Sequence, residues 1–251
     1  MIHIAVIDKS NVVKGPELKK YVDAVQAQID HDWTPVWGIP AKLDLVAPGQ
    51  DPPSTSWWLG IFDNADQAGA LGYHDLTTAG LPIGKVFAKT TIDAGDLVSV
   101  TFSHEVLEML ADPDINLIVQ KGPRGYSYEV CDAVEDDSLG YDVNGVRVSD
   151  FVYPQYFETF WKKNATKFDH RGHLSGPLPA LTPGGYMSYL DFHTGHWKQI
   201  TARLDETNAK LRNNDPALTR ALYKERPHVG ARRYRRALPS ETWLVSTASA
   251  K

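Results

Sequence analysis

Apolar and polar positions along this chain change period several times, and the changes mark out its elements. Residues 2–7 form an apolar run that reads as a buried strand. Pro16 then opens an amphipathic helix with Leu18, Tyr21, Val22, Val25 and Ile29 on one face. Residues 32–38 read as an aromatic turn, 41–46 as a second strand, 50–54 as a loop and 57–62 as a third strand. Residues 70–75 follow, with His74 between Gly72 and Asp75 in a predicted turn. Residues 81–89 read as a strand that Pro82 and Gly84 assign to a sheet edge, because proline cannot serve an interior ladder. An edge there either offers backbone groups to which an extended peptide can add as a strand or is a plain edge shielded by loops.

Residues 96–113 read as one helix, with Asp96 as its cap and Pro113 as its stop. Beyond it the pattern predicts a strand over 126–132 and an Asn144-Gly145 hairpin within 141–148. An aromatic stretch containing Pro154 covers 151–161, and a Pro/Gly-rich boundary covers 175–185. Residues 186–190 and 196–197 suggest a small hairpin, and 200–211 and 216–223 two further helices. No internal repeat is present.

The helix over 96–113 carries the chemistry. Taking His104 as zero and about 100° per residue, Glu108 falls near ~40°, Thr101 near ~60°, Asp112 near ~80° and Glu105 near ~100°. Every ionisable side chain after the cap shares one arc. The rest of the circumference is apolar or small, so the helix is predicted to be buried. Buried charges are costly unless they are paired or bind a metal. His104 and Glu108, one turn apart, can grip one cation, with Glu105 beside them in reach of a water on it. This is the mechanics of H-E-x-x-H with Glu in place of the second histidine. His and Glu also recur at this spacing on helices that hold no metal; the apolar surround is what favours the site.

Composition narrows the field. A chain of 251 residues with 42% hydrophobic residues suits one large domain or one domain with a small appendage. A formal charge of −5 argues against nucleic acid as a partner. A single cysteine, Cys131, excludes an internal disulfide framework. The N-terminal apolar run is too short for a signal peptide and lacks a basic leader, and no stretch suits a membrane span. The expectation is a soluble protein made in the cytoplasm, with release by cell lysis or a leaderless route left open. Arg226, Arg232, Arg233, Arg235 and Arg236 form a basic tail with Tyr234 among them. A solvated, partly disordered tail is favoured over a phosphate-binding one.

Catalytic zinc sites usually take three protein ligands and keep one position open. Asp112 lies on the shared arc and swings back toward the pair only if the helix ends early, which Pro113 permits. Glu129 and Asp132, in Tyr128-Glu129-Val130-Cys131-Asp132, are the distal choices. Each acid also has a plain alternative: Asp112 as a turn residue before proline, Glu129 and Asp132 as strand-end charges paired to Arg or Lys.

The order of elements and the run Ser103-His104-Glu105-Val106-Leu107-Glu108 followed by Asp112-Pro113 resemble zincin-like metallopeptidases. More closely, the chain resembles a group of uncharacterised bacterial and phage proteins. Their recurring pieces stand here as Gly72-Tyr73-His74-Asp75, Gly84-Lys85-Val86-Phe87, the helix motif, Glu129-Val130-Cys131-Asp132 and Val148-Ser149-Asp150-Phe151-Val152. The resemblance covers about the first 160 residues. It implies an α+β fold: a zincin-like twisted mixed sheet with one helix packed on it, a central motif-bearing helix and a small C-terminal appendage. By that pattern His104 is a metal ligand and Glu105 the general base. Glu108 stands where a histidine is usual. Asp114 stands where metzincin-like proteases place a third ligand, with Ala111 in place of their turn glycine. Glu129 or Asp132 would be the gluzincin-like choice.

These expectations divide the chain into a zincin-like domain (1–174), a small subdomain (175–225) and a basic tail (226–251). The expected function is a metal-dependent hydrolase acting on a peptide or protein through a metal-bound water. The metal set is drawn from His104, Glu108, Asp112, Glu129 and Asp132, while His74 is a ligand or oxyanion partner or, as is commoner for such a histidine, a surface residue or one that supports the ligands. One histidine with two carboxylates would leave bound water less acidic than three histidines do, and extra oxygen ligands suit harder ions. Zn²⁺ is the first expectation, with Ca²⁺ or Mn²⁺ as alternatives. The competing function is a phage- or prophage-associated structural or binding protein in which the cluster is a stabilising ion site. Tyr126, Tyr128, Tyr141 and Tyr153 stay unranked as oxyanion stabilisers, and Trp33, Trp37, Trp57 and Trp58 are expected in the core.

Overall fold

The computed structural model describes residues 1–47 and 49–202 and the backbone of Tyr223–Pro227. In chain order the elements are β1 (Ile2–Asp8), α1 (Gly15–Gln28), α2 (Thr34–Trp37), β2 (Ala41–Leu45), β3 (Trp57–Phe62), β4 (Gly72–Leu76), β5 (Pro82–Phe87), α3 (Ala88–Ala94) and α4 (Val98–Ala111). They continue with β6 (Ile118–Lys121), β7 (Arg124–Ser127), β8 (Tyr141–Val143), β9 (Val146–Val148), α5 (Pro154–Phe157), β10 (Tyr186–Asp191), β11 (His196–Ala202) and β12 (Tyr223–Pro227). The protein is α+β. Among the described residues no helix is long and apolar enough to cross a membrane.

The described residues fall into two units. The first holds Met1–Asn116 and Asp142–Val148; the second holds Leu117–Tyr141 and the described part of Ser149–Ala231. The chain thus passes between units around 116, 141 and 148.

In the first unit a five-stranded sheet runs β2-β1-β3-β5-β4. The first four strands are parallel, and β4 pairs antiparallel with β5. Ile4, Ala5, Val6, Leu59 and Ile61 are fully buried, as strands covered on both faces require. The expected edge strand is therefore interior, and the edges are β2 and β4. Pro82 is tolerated because it is the first residue of β5, paired with Leu76 at the far end of β4. Gly84 is filled from the neighbouring strand: a β-carbon there would lie 2.5 Å from Leu59 Cδ1.

α1 buries Leu18, Val22 and Val25 as its pattern predicts, while Tyr21 is only half-buried. The aromatic segment after it is helical rather than a turn. A π-helical stretch, Ile29–Trp33, leads into α2, and Gly38 closes it in the left-handed region at φ 70°. Pro35 fits because it stands in the first turn of α2, where no intrahelical donor is lost. Trp33 is fully buried and stacks on Trp37 at 4.9 Å between ring centroids. Trp37, Trp57 and Trp58 are only half-buried, so Trp33 alone of the four is a core residue.

α4 packs on β4 and β5 and also touches α1 and the β8–β9 hairpin. Its N-cap position is Leu97, which makes no side-chain capping hydrogen bond, rather than the expected Asp96. The helix is buried: from Val98 to Ala111 only Thr101 is not fully buried. The predicted Asn-Gly turn joins β8 and β9, with Asn144 at φ 51° and Gly145 at φ 77°.

The second unit is built on an antiparallel sheet, β12-β11-β10-β7-β6. The hairpin expected over 186–197 is its centre rather than an isolated appendage. The strand expected over 126–132 ends at Ser127, whose Oγ donates to the Ser188 carbonyl at 3.1 Å. A 3-10 turn, Asp132–Val134, follows. The helix expected from residue 200 starts in fact as the end of β11, where Ile200 pairs with Met187 and Thr201 with Tyr186. Its remainder, most of the 216–223 helix and the tail from 228 lie outside the described residues. Tyr223 and Arg226 fall in β12.

Candidate metal centre

Strand alternation and helical spacing together build the cluster in the first unit. On β4, Gly72 and His74 point to the face that α4 covers, while Tyr73 between them points away. On α4, His104, Glu105 and Glu108 lie on the arc that meets that face. His74 is 2% exposed, His104 7%, Glu105 5% and Glu108 4%. Four ionisable side chains are thus withdrawn from water together, as the helical arc predicts for three of them.

Distances tie the four into one group. His104 Nε2 is 3.2 Å from Glu108 Oε2, the one-turn pair expected from the sequence. His74 Nδ1 is 3.7 Å from Glu108 Oε2 and 3.7 Å from Glu105 Oε2. The last two are too long for hydrogen bonds, though short for charges. Glu105 Oε2 is buried and finds no hydrogen-bond partner among the described residues. Such an oxygen costs free energy unless another ligand meets it.

Gly72 decides where Glu105 can lie. A β-carbon at Gly72 would fall 2.6 Å from Glu105 Oε1, 2.8 Å from its Cγ and 2.9 Å from the Lys85 carbonyl oxygen. The glutamate fills the space that any other residue at 72 would occupy. The opposite face of the same strand is pinned by a polar network. Lys85 Nζ donates to Asp66 Oδ2 at 2.5 Å and to Tyr73 Oη at 2.8 Å, and Tyr73 Oη donates to the same Asp66 oxygen at 2.9 Å. Burial and the Asp66 carboxylate hold the Tyr73 phenol well above its usual range. This trio fixes β4 against β5 and so fixes the height of Gly72 and His74 over α4.

α4 is anchored from beneath as well. Ser103 Oγ donates to Gln28 Oε1 at 2.7 Å, and both residues are fully buried. The contact ties the last residue of α1 to the residue preceding His104.

The other expected site residues are placed as follows. Asp112 leaves the helix at φ −136°, ψ 70°, as the following proline favours. Its Oδ1 accepts the Asn116 N–H at 3.0 Å, and its carbonyl accepts the Ile115 N–H at 3.1 Å. Asp112 therefore serves the turn after α4. Asp114 is exposed. Glu129 and Asp132 are both buried and belong to the second unit, Asp132 opening the 3-10 turn. Tyr126, Tyr128, Tyr141 and Tyr153 also belong to the second unit, Tyr128 stacked on Phe157 at 4.0 Å. His74, expected in a turn, is instead in the middle of β4 and inside the cluster.

Gly72, Lys85 and Gln28 were not singled out by sequence reasoning as parts of the site. A glycine within a strand pattern signals close approach of another group, and that signal was available for Gly72. Nothing local marks Gln28 or Lys85, because their partners lie on other elements. No protein-family model matches this chain, and neither a curated protein nor a solved structure matches it.

Proposed function

We propose that the protein is a metal-dependent hydrolase, zincin-like in kind, that cleaves peptide bonds with Glu105 as its general base. The observation that carries this reading is the buried Glu105 Oε2, which meets no hydrogen-bond donor and stands within one helical turn of the His104–Glu108 pair. A buried carboxylate oxygen without a donor is costly unless a cation or a substrate meets it.

The donor set fits a divalent cation. An imidazole nitrogen and a carboxylate oxygen 3.2 Å apart are spaced as neighbouring ligands of one ion, whose bonds are about 2.0–2.2 Å. Such an ion would polarise a carbonyl oxygen and a water placed beside it. His104 and Glu108 would hold it, and Glu105 would accept a proton from the attacking water and return it to the leaving amine. The hydrophobic remainder of α4 keeps bulk water out, which strengthens each of these interactions. Gly72 leaves the carboxylate the room it needs.

The test pairs metal analysis with activity. The purified protein is loaded with Zn²⁺ or Mn²⁺, dialysed, assayed for bound metal, and incubated with a mixed peptide library whose cleavage is followed by mass spectrometry. Glu105→Gln should lower cleavage by roughly 10²-fold or more and leave metal content unchanged. An equally active Glu105→Gln variant would falsify the mechanism. Bound metal with no cleavage of any peptide would instead support a structural ion site.

A further inference from the structure

We infer that the site takes two divalent cations bridged by Glu108, one on His104 and a second on His74. The inference rests on the hydrolase reading of the cluster and extends it from one metal to two. It begins from His74, a buried histidine on the edge strand whose role the one-metal arrangement does not explain.

Glu108 Oε2 lies 3.2 Å from His104 Nε2 and 3.7 Å from His74 Nδ1. Ligand atoms on one tetrahedral ion with bonds of about 2.0–2.2 Å stand about 3.4 Å apart. Both spacings bracket that edge, so each histidine forms an ion-sized gap with the same carboxylate. The two gaps are separate. Among the described residues, His104 and Glu108 belong to one group of three buried ligand residues whose donor atoms lie within 4.8 Å of one another, and His74 and Glu108 belong to another. The two imidazoles do not join Glu108 in a single set within that distance. One ion would have to draw both nitrogens to about 3.4 Å of each other, whereas two ions need each histidine only where it stands. A carboxylate between two metals about 3.5–4 Å apart is the usual bridge of two-metal hydrolytic sites.

A second observation points to a ligand on the His74 side. Glu105 Oε2, buried and without a hydrogen-bond donor, lies 3.7 Å from His74 Nδ1. The general base therefore faces the second gap, where a water held by the second cation would be in reach of its free oxygen. The second cation shares Glu108 with the first, whose positive charge repels it. The second is then held more weakly than the first and fills later in a titration.

The test uses the full chain stripped of metal and titrated with Mn²⁺. Wild type should bind two equivalents in order, and its electron paramagnetic resonance spectrum should change from that of isolated ions to an exchange-coupled pair as the second enters. His74→Gln should lose the weaker equivalent and the coupled spectrum while keeping the tighter one. Saturation at one equivalent, or an uncoupled spectrum at two, overturns the inference in wild type alone, so it holds even if the variant fails to fold. A second equivalent that survives in His74→Gln overturns it as well. One equivalent that depends on His104 and Glu108 would leave the hydrolase reading standing; no bound metal in wild type overturns both.

Discussion

Glu105 occupies the space that a side chain on Gly72 would need: its Oε1 lies 2.6 Å from the position of a β-carbon there. The helix supplies the acid, and the edge strand supplies the vacancy. Neither element alone defines the position of the carboxylate.

Gly72→Ala should therefore act on chemistry more than on metal. The new methyl also meets the Lys85 carbonyl oxygen at 2.9 Å, which cannot move without bending β5. The carboxylate of Glu105 must rotate away, at a stability cost of about 1–3 kcal/mol. On the hydrolase reading, peptide cleavage should fall more than tenfold while the metal content stays unchanged. Gly84→Ala is the control, because its methyl meets the flexible tip of Leu59 at 2.5 Å and reaches Glu105 only at Cβ, 4.0 Å away. Steady-state kinetics and metal analysis of both variants settle the matter; equal losses of activity would show that crowding under α4, not the position of Glu105, is responsible.

Ser103→Ala should weaken the support of the site without touching it. The substitution takes one donor from Gln28 Oε1 inside the core. Such a loss costs about 1–3 kcal/mol. Urea denaturation should show that loss, and Ser103→Ala combined with Gln28→Leu should cost less than the sum of the two single changes. Strict additivity would mean that the two side chains do not depend on each other.

The motif helix was legible because its information is local. Periodicity placed His104, Glu105 and Glu108 on one arc, and the apolar surround predicted the burial that Val98–Ala111 displays. β1, β3, α1 and the Asn144-Gly145 turn were legible for the same reason. What failed was order across the sheet. Pro82 read from the sequence points to an edge, but a proline at a strand's first residue leaves the ladder intact, so β5 lies inside and β4 outside. With that reversal His74 moved from a turn to the wall of the cluster. Residues 200–202 show the other limit: a short apolar-periodic stretch fits helix or strand, and only pairing with β10 decides. Asp112 kept both of its readings in the sequence, because the direction of a carboxylate after a helix end depends on the turn that receives it.

Metal should stabilise the fold through His104. A ligand that binds only the native state adds about 2.7 kcal/mol at a hundredfold excess over its Kd. Wild-type Tm should rise on addition of Zn²⁺ or Mn²⁺ at concentrations that fill the tighter position. His104→Ala should lose that rise, and its own Tm should fall below that of loaded wild type. A variant with unchanged metal content and an unchanged shift would remove His104 from the site.

The second unit should carry a pH dependence independent of the metal. Asp150 is 1% exposed, and burial, reinforced by the neighbouring Asp169, pushes its carboxyl up to about 9 from an ordinary 3.8. Its Oδ1 accepts the N–H groups of Phe151 at 2.8 Å and Arg171 at 3.1 Å, while Asp169 accepts those of His173 and Leu174. Two carboxyl groups are thus held by the backbone of two adjoining segments, and one of them keeps a proton at neutral pH. Between the unfolded value near 4 and the folded value near 9, the folded state holds a proton that the unfolded state releases. Stability from this group is fully present below about pH 4 and declines as pH rises, with a slope of at most about 1.4 kcal/mol per unit, until about pH 9. Asp150→Asn keeps an oxygen for the two backbone donors and an N–H for Asp169, so it imitates the protonated acid at every pH. Urea unfolding of the metal-free protein from pH 5 to 9 should show wild type losing stability relative to the variant, with the gap widening toward alkaline pH. Curves that stay parallel across this range would mean that Asp150 ionises in the folded protein as it does in the unfolded chain.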